Sequence, residues 1–360
     1  MINASKEERK RKSHVARYLQ IVRVLAKYRL EEVLRYVGLQ KYSPLLWLLR
    51  GNPFRKMAYT KPERMRMAIE ELGTSFVKLG QILSTRTDLL PPDYTNELSK
   101  LQNCLKPLPI EVTKKVIEDE LGRSTDELFT SFELEPIGVA SIGQVYCCTQ
   151  GDGTEVVMKV QKPGVPQVIQ EDMYILGRAA VAATKHWRGA QQYDLVGIVG
   201  EVADIIRIET DYIQEGHSAE YFAQFFKEDK GIHIPKIFWE STTERVLTME
   251  KIRGIGIREV EALDKAGFDR KELAKRSVGI WLKMVFEGEA FHADPHPGNL
   301  FVEPDGRLGL VDFGMTSMVD DEVRWRLAST VKAILDRNAD QLIDALATDA
   351  QARQLQEQLA

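Results

Sequence analysis

The 360-residue sequence has no window of about 18 consecutive apolar residues, so no segment reads as a membrane-spanning helix by hydropathy. Its first dozen residues are too charged for the apolar middle of a signal peptide. Cysteine is scarce. Cys104, Cys147 and Cys148 are an odd set without CxxC spacing, which argues against a disulfide framework or a thiolate zinc site and fits a reducing, cytoplasmic setting. No internal repeat or low-complexity tract is found, although residues 351–360 are polar and Gln-rich. What is there, 44% hydrophobic and 28% charged residues, is the composition of a globular protein long enough for two lobes with separate cores.

The net charge of -4 conceals an asymmetry. Residues 1–66 carry 17 Lys/Arg against 5 Glu, a net +12, and the remainder carries 32 against 48, a net -16. Over residues 13–37 the apolar positions Val15, Leu19, Val22, Leu25, Leu30, Val33, Leu34 and Val37 recur at helical spacing, with Arg17, Arg23, Lys27, Arg29 and Arg35 between them. That spacing predicts a basic amphipathic helix. Ser43-Pro44 then precedes the apolar cluster Leu45-Leu46-Trp47-Leu48-Leu49. The segment suits an anionic lipid surface, where each basic residue is worth about 1 kcal/mol. It equally suits packing on the protein, or on a second copy in a homodimer. No nucleic acid is expected, because aromatics are not interleaved with the basic residues.

Residues 61–121 read as helices broken at Pro91-Pro92 and near Pro107 and Pro109, with the polar Lys78-Leu79-Gly80-Gln81 inside an apolar stretch. After Thr125 the period changes. Residues 142–146 and 155–161 read as strands around Gly151-Asp152-Gly153, residues 167–227 as mostly helical, 232–235 and 245–249 as short strands, and 271–291 as a long helix. The organisation expected is a basic helical N-terminus (1–60), a helical extension (61–128), a β-rich lobe with inserted helices (129–250) and a helical lobe (251–360).

Three groups of residues carry chemistry. In His292-Ala293-Asp294-Pro295-His296-Pro297-Gly298-Asn299, followed after two short apolar strands by Asp312-Phe313-Gly314, the acids and the amide have the spacing of a phosphoryl-transfer site. Asp294 meets the acceptor or a water, and Asn299 and Asp312 supply the hard oxygens that Mg2+ needs across the ATP phosphates. The small-residue loop Gly138-Val139-Ala140-Ser141 leads into a strand, and Lys159 on the partner strand suits the α/β-phosphates, with Lys162 as a nearby competitor. Glu215 is the expected orienting partner of Lys159. Glu209 and Asp211 form a second acidic group on the same helical stretch, and a solvated acidic face is the alternative for each.

These motifs together resemble the UbiB family of atypical kinases, linked to ubiquinone and other isoprenoid-quinone or lipid metabolism, over roughly residues 60–335. The family's Lys-x-Gly-Gln, Ala-rich loop, Glu-x-Asp, H-x-D-x-H-P-G-N and D-F-G correspond here to Lys78 to Gln81, residues 136–146, Glu209 to Asp211, 292–299 and 312–314. The resemblance implies an α+β, bilobal protein-kinase-like fold with an N-terminal helical extension packed over the active site. It also implies that Lys78 reaches toward Glu209 or neighbouring acids, with Gln81 beside it, and that ATP and Mg2+ are the cofactors. ATP hydrolysis at the inner face of a membrane, coupled to isoprenoid-quinone precursors, is then expected more than transfer to Ser or Thr. A protein kinase acting on itself or a partner, and a nucleotide-binding scaffold, are the alternatives. Two departures stand out. Gly138 and Val139 stand ahead of Ala140-Ser141 where the family loop usually has alanines, and the glycine is expected to loosen the loop. Only 46 residues follow Gly314, short for a full helical lobe, as in a chain cut before a C-terminal membrane segment.

Overall fold

The computed structural model describes residues 2–30, 32–33, 59–103, 107–186 and 193–346. Residues 34–37 of the expected basic helix, the apolar cluster 45–49, Cys104 and the Gln-rich stretch 351–360 lie outside the described residues. The chain divides into two compact units, Met1–Gln214 with Ile237–Lys251, and Glu215–Lys236 with Ile252–Ala360.

In the first unit the basic segment is helix α1 (Ile2–Lys27), and the helix expected over 13–37 is broken at residues 28–30, with Glu32 and Val33 helical again. The reason is local. Arg29 adopts a left-handed backbone (φ 53°), and the Leu30 and Arg29 N–H groups donate back to the Leu25 and Ala26 carbonyls at 2.9 and 3.0 Å. This is a Schellman cap, closed by contact between an apolar residue beyond the turn and one in the last turn; Leu25 and Leu30 are both buried. The Arg64 guanidinium donates to the Tyr28 and Arg29 carbonyls, 3.0 Å each, and satisfies what the helix end leaves open. Arg64 belongs to α2 (Lys61–Leu72), which starts with the capping box Thr60-Lys61-Pro62-Glu63. Gly73 (φ 91°) turns the chain directly into α3 (Thr74–Thr85). Next come α4 (Pro92–Leu98), a 3-10 turn, α5 (Ile110–Leu121) and α6 (Thr125–Leu128), broken at the expected prolines.

The apolar face of α1 is therefore inside the protein. Ile21, Val22, Leu25, Leu30, Ile69 and Phe76 share one core cluster, so of the two readings of this helix the described part takes packing on the protein. Arg17 fastens it. Its Nε and Nη2 reach the two carboxylate oxygens of the fully buried Asp172 at 2.7 and 2.8 Å, and Nη2 also donates to the Leu72 carbonyl at 2.7 Å.

Strands β1 (Phe129–Phe132), β2 (Gly138–Val139), β3 (Gly143–Gln150) and β4 (Glu155–Gln161) follow. Then come α7 (Val165–His186), which carries Asp172, α8 (Leu195–Glu209), α9 (Tyr212–Phe225), β5 (Ile232–His233) and β6 (Val246–Glu250). The antiparallel order is β1-β3-β4-β6, with β2 on β3. Alternation along β4 buries Val156, Met158 and Val160 against α5 and turns Lys159 to the opposite face. The helical stretch expected over 167–227 is three helices. It breaks between α8 and α9 because the Thr210 hydroxyl bonds back to the Ile206 and Arg207 carbonyls (3.0 and 2.9 Å), while the Asp211 carboxylate accepts the Gln214 N–H at 2.9 Å and opens α9.

The second unit begins inside α9, includes β5, and resumes after β6 with β7 (Ile255–Gly256), α10 (Val260–Lys265), α11 (Arg270–Glu287) and β8 (Ala290–His292), then β9 (Leu300–Val302) and β10 (Leu308–Leu310). Strand β11 (Thr316–Met318) and helices α12 (Asp321–Leu335) and α13 (Ala339–Leu346) complete it. Its four-stranded sheet runs β5-β10-β9-β7, and β8 pairs with β11 in a separate ribbon. The expected helix over 271–291 ends at Glu287 because Gly288 sits where a Cβ would meet the Met284 and Ala290 carbonyls at 2.7 and 2.9 Å.

Arg17→Met leaves the Asp172 carboxylate buried without its cation and is expected to cost about 3 to 5 kcal/mol by urea denaturation, with Arg17→Met/Asp172→Leu recovering most of the loss. A second expectation concerns pH. Burial pushes the Cys148 thiol up to about 12, whereas an unfolded cysteine ionises near about 8.5. The folded state thus keeps a proton that the unfolded state releases. This contribution is constant below about pH 8 and is lost between about pH 9 and 12. The unfolding midpoint of wild type should fall more steeply across that window than that of Cys148→Ala.

Candidate functional site

In the second unit the two metal-type motifs are laced together at both ends. The Val311 N–H donates to the Asn299 carbonyl at 2.9 Å, continuing the β9-β10 register beyond Leu300 and Leu310. The Ala293 N–H donates to the Met315 carbonyl at 2.9 Å, continuing the β8-β11 register beyond His292 and Thr316. Asp294 and Asp312 both lie between these two links. The loop is also tied internally, because the Asp294 carbonyl accepts the His296 N–H at 2.7 Å and the Asn299 Nδ2 at 3.4 Å. His292 is fully buried, and its Nδ1 accepts the Asp294 N–H at 3.2 Å, fixing the backbone of the acid that follows. Asp312 has a left-handed backbone (φ 63°), a cost that a short polar residue tolerates and that structures keep where it serves a site.

One face of α9 holds the second motif. Residues 215, 218 and 222 recur at i, i+3 and i+7. The buried Glu215 carboxylate lies 3.5 Å from where a Cβ on Gly314 would stand, the Ser218 hydroxyl is 3.3 Å from the Thr316 hydroxyl, and the Phe222 and Phe313 rings stack at 5.5 Å.

In the first unit Lys159 occupies the centre of the sheet, paired with Val145 on β3 and Leu247 on β6. Its ammonium stands 5.3 Å from the ring centroid of the fully buried Tyr212. The small-residue segment is not a loose loop. Gly138 and Val139 pair with Val145 and Gln144 as strand β2, Gly138 lies outside the left-handed region, and the Ala140 N–H closes the turn on the Gly143 carbonyl at 2.8 Å. The expectation that glycine frees this segment is thereby corrected, because its backbone groups are engaged in a hairpin. Thr74, at the start of α3, donates to the Ser141 carbonyl at 3.0 Å, and Lys162 donates to the Ala140 carbonyl at 2.8 Å, its ammonium pKa lowered by burial.

Lys78 on α3 forms an ion pair with Glu209, the last residue of α8, as the resemblance implies. Gly80 permits the close approach of α3 to its neighbours, since a Cβ there would stand 2.5 Å from a Leu101 methyl. Gln81 is half-buried one turn beyond Lys78. Leu79 and Ile82 pack under Ile142, Val202 and Ile206, so α3 and α8 share a core beside the ion pair. Glu209 and Glu215 do not share a helix. The sequence reading had no signal for Thr74, Tyr212 or Gly143. At Gly143 a Cβ would stand 2.8 Å from the Val160 carbonyl oxygen and closer still to the Tyr212 hydroxyl.

Residues 100–346 match the ABC1 atypical kinase-like domain, which covers more than half of the chain. The chain belongs to this family. It is 36% identical over 335 residues to a protein of Marinobacter nauticus named probable protein kinase UbiB, covering 92% of this chain and 61% of that one. It is 38% identical over 283 residues to the Arabidopsis thaliana chloroplast protein named ACTIVITY OF BC1 COMPLEX KINASE 8, covering 77% of this chain and 37% of that one. The chain thus spans less than two thirds of these curated relatives. Among solved structures, the Rv3197 protein of Mycobacterium tuberculosis, determined with erythromycin, superposes with a TM-score of 0.54 at 27% identity, over 77% of this chain and 70% of that one. The architecture is accordingly an α+β fold with a kinase-like ABC1 domain, and the catalytic type is that of a kinase-like family.

The Lys78–Glu209 pair is mostly shielded from solvent, with side-chain exposures of 15% and 20%. A double-mutant cycle of Lys78→Met and Glu209→Gln should show a coupling of about 1 to 3 kcal/mol in unfolding free energy; a coupling near zero would make it an ordinary surface bridge.

Proposed function

We propose that this chain binds ATP with Mg2+ and transfers or hydrolyses its terminal phosphoryl group. The observation that carries the reading is the double lacing that keeps Asp294, Asn299 and Asp312 on one short stretch of backbone. Their chemistry fits the metal, because two carboxylates and an amide oxygen are hard donors and leave positions for water and phosphate, the manner in which magnesium is usually held. Among the described residues no group of three His, Cys, Asp or Glu side chains forms a closed metal cage. Asp312 and Asn299 are the proposed ligands, and the magnesium supplies charge neutralisation at the phosphates. Asp294 orients the attacking water or hydroxyl. Lys159 neutralises the α/β-phosphates, with Glu215 as its orienting acid and the 138–141 hairpin beside it, held by Thr74 and Lys162.

The Lys78–Glu209 pair supports hydrolysis, or transfer to a small acceptor, over transfer to a protein hydroxyl, since it commits Lys78 and an acidic residue of the Glu-x-Asp motif to each other. We further propose action on isoprenoid-quinone or related lipid metabolism at an anionic membrane surface. Its support is the +12 charge over residues 1–66 and the exposed Val15 and Leu19 of α1. The buried face of α1 takes no part, and no helix among the described residues is long and apolar enough to cross a membrane.

The test is magnesium-dependent ATP hydrolysis by the purified chain with and without anionic liposomes. Asp312→Asn should lower turnover by about a hundredfold or more, and Lys159→Ala should lower it as well. Wild-type rates in Asp312→Asn would refute the metal assignment, and a rate indifferent to liposomes would remove the membrane from the reading.

A further inference from the structure

A concave site lies in the second unit, and none of its lining residues belongs to the laced motifs. It is a cavity of about 390 Å3, within the roughly 300–1,000 Å3 typical of small-molecule sites. Its wall is formed by the end of α9, the turn into β5, and the residue that precedes β10. Phe226, Ile232 and Ile234 give it an apolar side, and Lys227, Lys230 and Arg307 give it a basic one.

Of the acids nearby, Glu228 is exposed and the other three are held. The buried Glu303 carboxylate is held by His233 Nδ1 at 2.9 Å and by the Arg307 guanidinium at 3.1 Å, and Asp305 by Arg307 Nε at 2.7 Å. Asp229 accepts the Gly231 N–H at 3.1 Å and faces Lys283 at 3.7 Å. Lys227 and Lys230 are exposed and in no ion pair among the described residues. Behind them, Arg276 directs its guanidinium at two backbone carbonyls, those of Gly231 and Gly306, 2.9 Å each. These two lysines sit in a unit whose residues carry 17 Lys/Arg against 23 Asp/Glu. Like charges gathered at a concave, partly apolar surface repel one another unless an anion joins them. Two lysines outside any ion pair of the described residues, beside an arginine, match a ligand group of more than one negative charge better than a single carboxylate.

We propose that this cavity binds a phosphorylated ligand. Lys227 and Lys230 hold its phosphate or pyrophosphate group, the Nη1 of Arg307 completes the basic wall, and its carbon body rests against Phe226, Ile232 and Ile234. The chemistry is shared by soluble phosphate esters and by lipid phosphate headgroups.

The test is calorimetric titration of the full chain with inorganic pyrophosphate in the presence of a chelator, which removes metal-dependent binding at the Asp312 site. Lys227→Gln/Lys230→Gln should weaken binding by about tenfold or more, Lys227→Arg/Lys230→Arg should retain it, and Lys159→Ala should leave it unchanged. The proposal is overturned if pyrophosphate does not bind wild type, binds the double Gln variant as tightly, or depends on Lys159 instead. Retained affinity in the Arg variant shows that a loss in the Gln variant is one of charge and not of folding. Phosphatidic acid vesicles added to the wild-type complex distinguish the sources: displacement of pyrophosphate assigns a lipid headgroup, and persistence assigns a soluble phosphate ester.

Discussion

A charged side chain taken out of water must find its partner inside the protein, and the helical part of the first unit is arranged around two such pairs. Asp172 is fully buried on α7 and is answered by a bidentate guanidinium from α1. Lys78 is answered by Glu209 at the end of α8. Each pair joins segments far apart in sequence, so each is a requirement on tertiary structure rather than a local preference. Arg17 also holds the C-terminal carbonyl of α2 and lies 5.9 Å from the Phe76 ring on α3. The helix carrying Lys78 is thus positioned through the same guanidinium that docks α1. The apolar cluster around Val22, Leu25 and Phe76 supplies the bulk of the association, and the ion pairs fix its register.

The second unit uses backbone hydrogen bonds for the same purpose. Two short ribbons leave their registers at Leu300/Leu310 and His292/Thr316, and the residues just beyond them still bond across. That is why two motifs 12 residues apart in sequence, ending at Asn299 and starting at Asp312, act as one segment. The left-handed backbone of Asp312 persists because Phe313 is anchored in the core beside Phe222 and His292, which lets the flanking packing bear the strain.

The basic N-terminus shows how one pattern serves two ends. Its apolar stripe enters the core from Ile21 onward, while Val15, Leu19, Arg23 and Lys27 stay exposed and Lys27 pairs with Glu71. A helix can therefore carry a positive surface and still be an integral part of the fold, so amphipathicity alone does not separate a lipid-facing helix from a docked one. The β-rich part of the first unit is simpler. Alternation over residues 155–160 of β4 specifies both its buried face and the side on which Lys159 emerges.

Most elements were legible in the sequence, because period, proline and glycine act within a few residues. The breaks at Pro91-Pro92, the hairpin around Gly151-Asp152-Gly153 and the paired strands before Asp312 follow from such local rules. The placement of Asp294, Asn299 and Asp312 around paired strands and of Lys159 on a central strand was legible too, because strand periodicity is local, and their roles are those proposed above. Where α1 ends was not, since a Schellman cap with arginine in the glycine position depends on Leu30 finding a core to enter. The division of Glu209 and Glu215 between two helices, the hairpin made of residues 138–143, and the contacts of Thr74, Lys162 and Tyr212 with their distant neighbours were decided by tertiary structure alone. The physical reason is that composition and periodicity determine what each segment can bury, whereas the partner of a polar group depends on which segments arrive beside it.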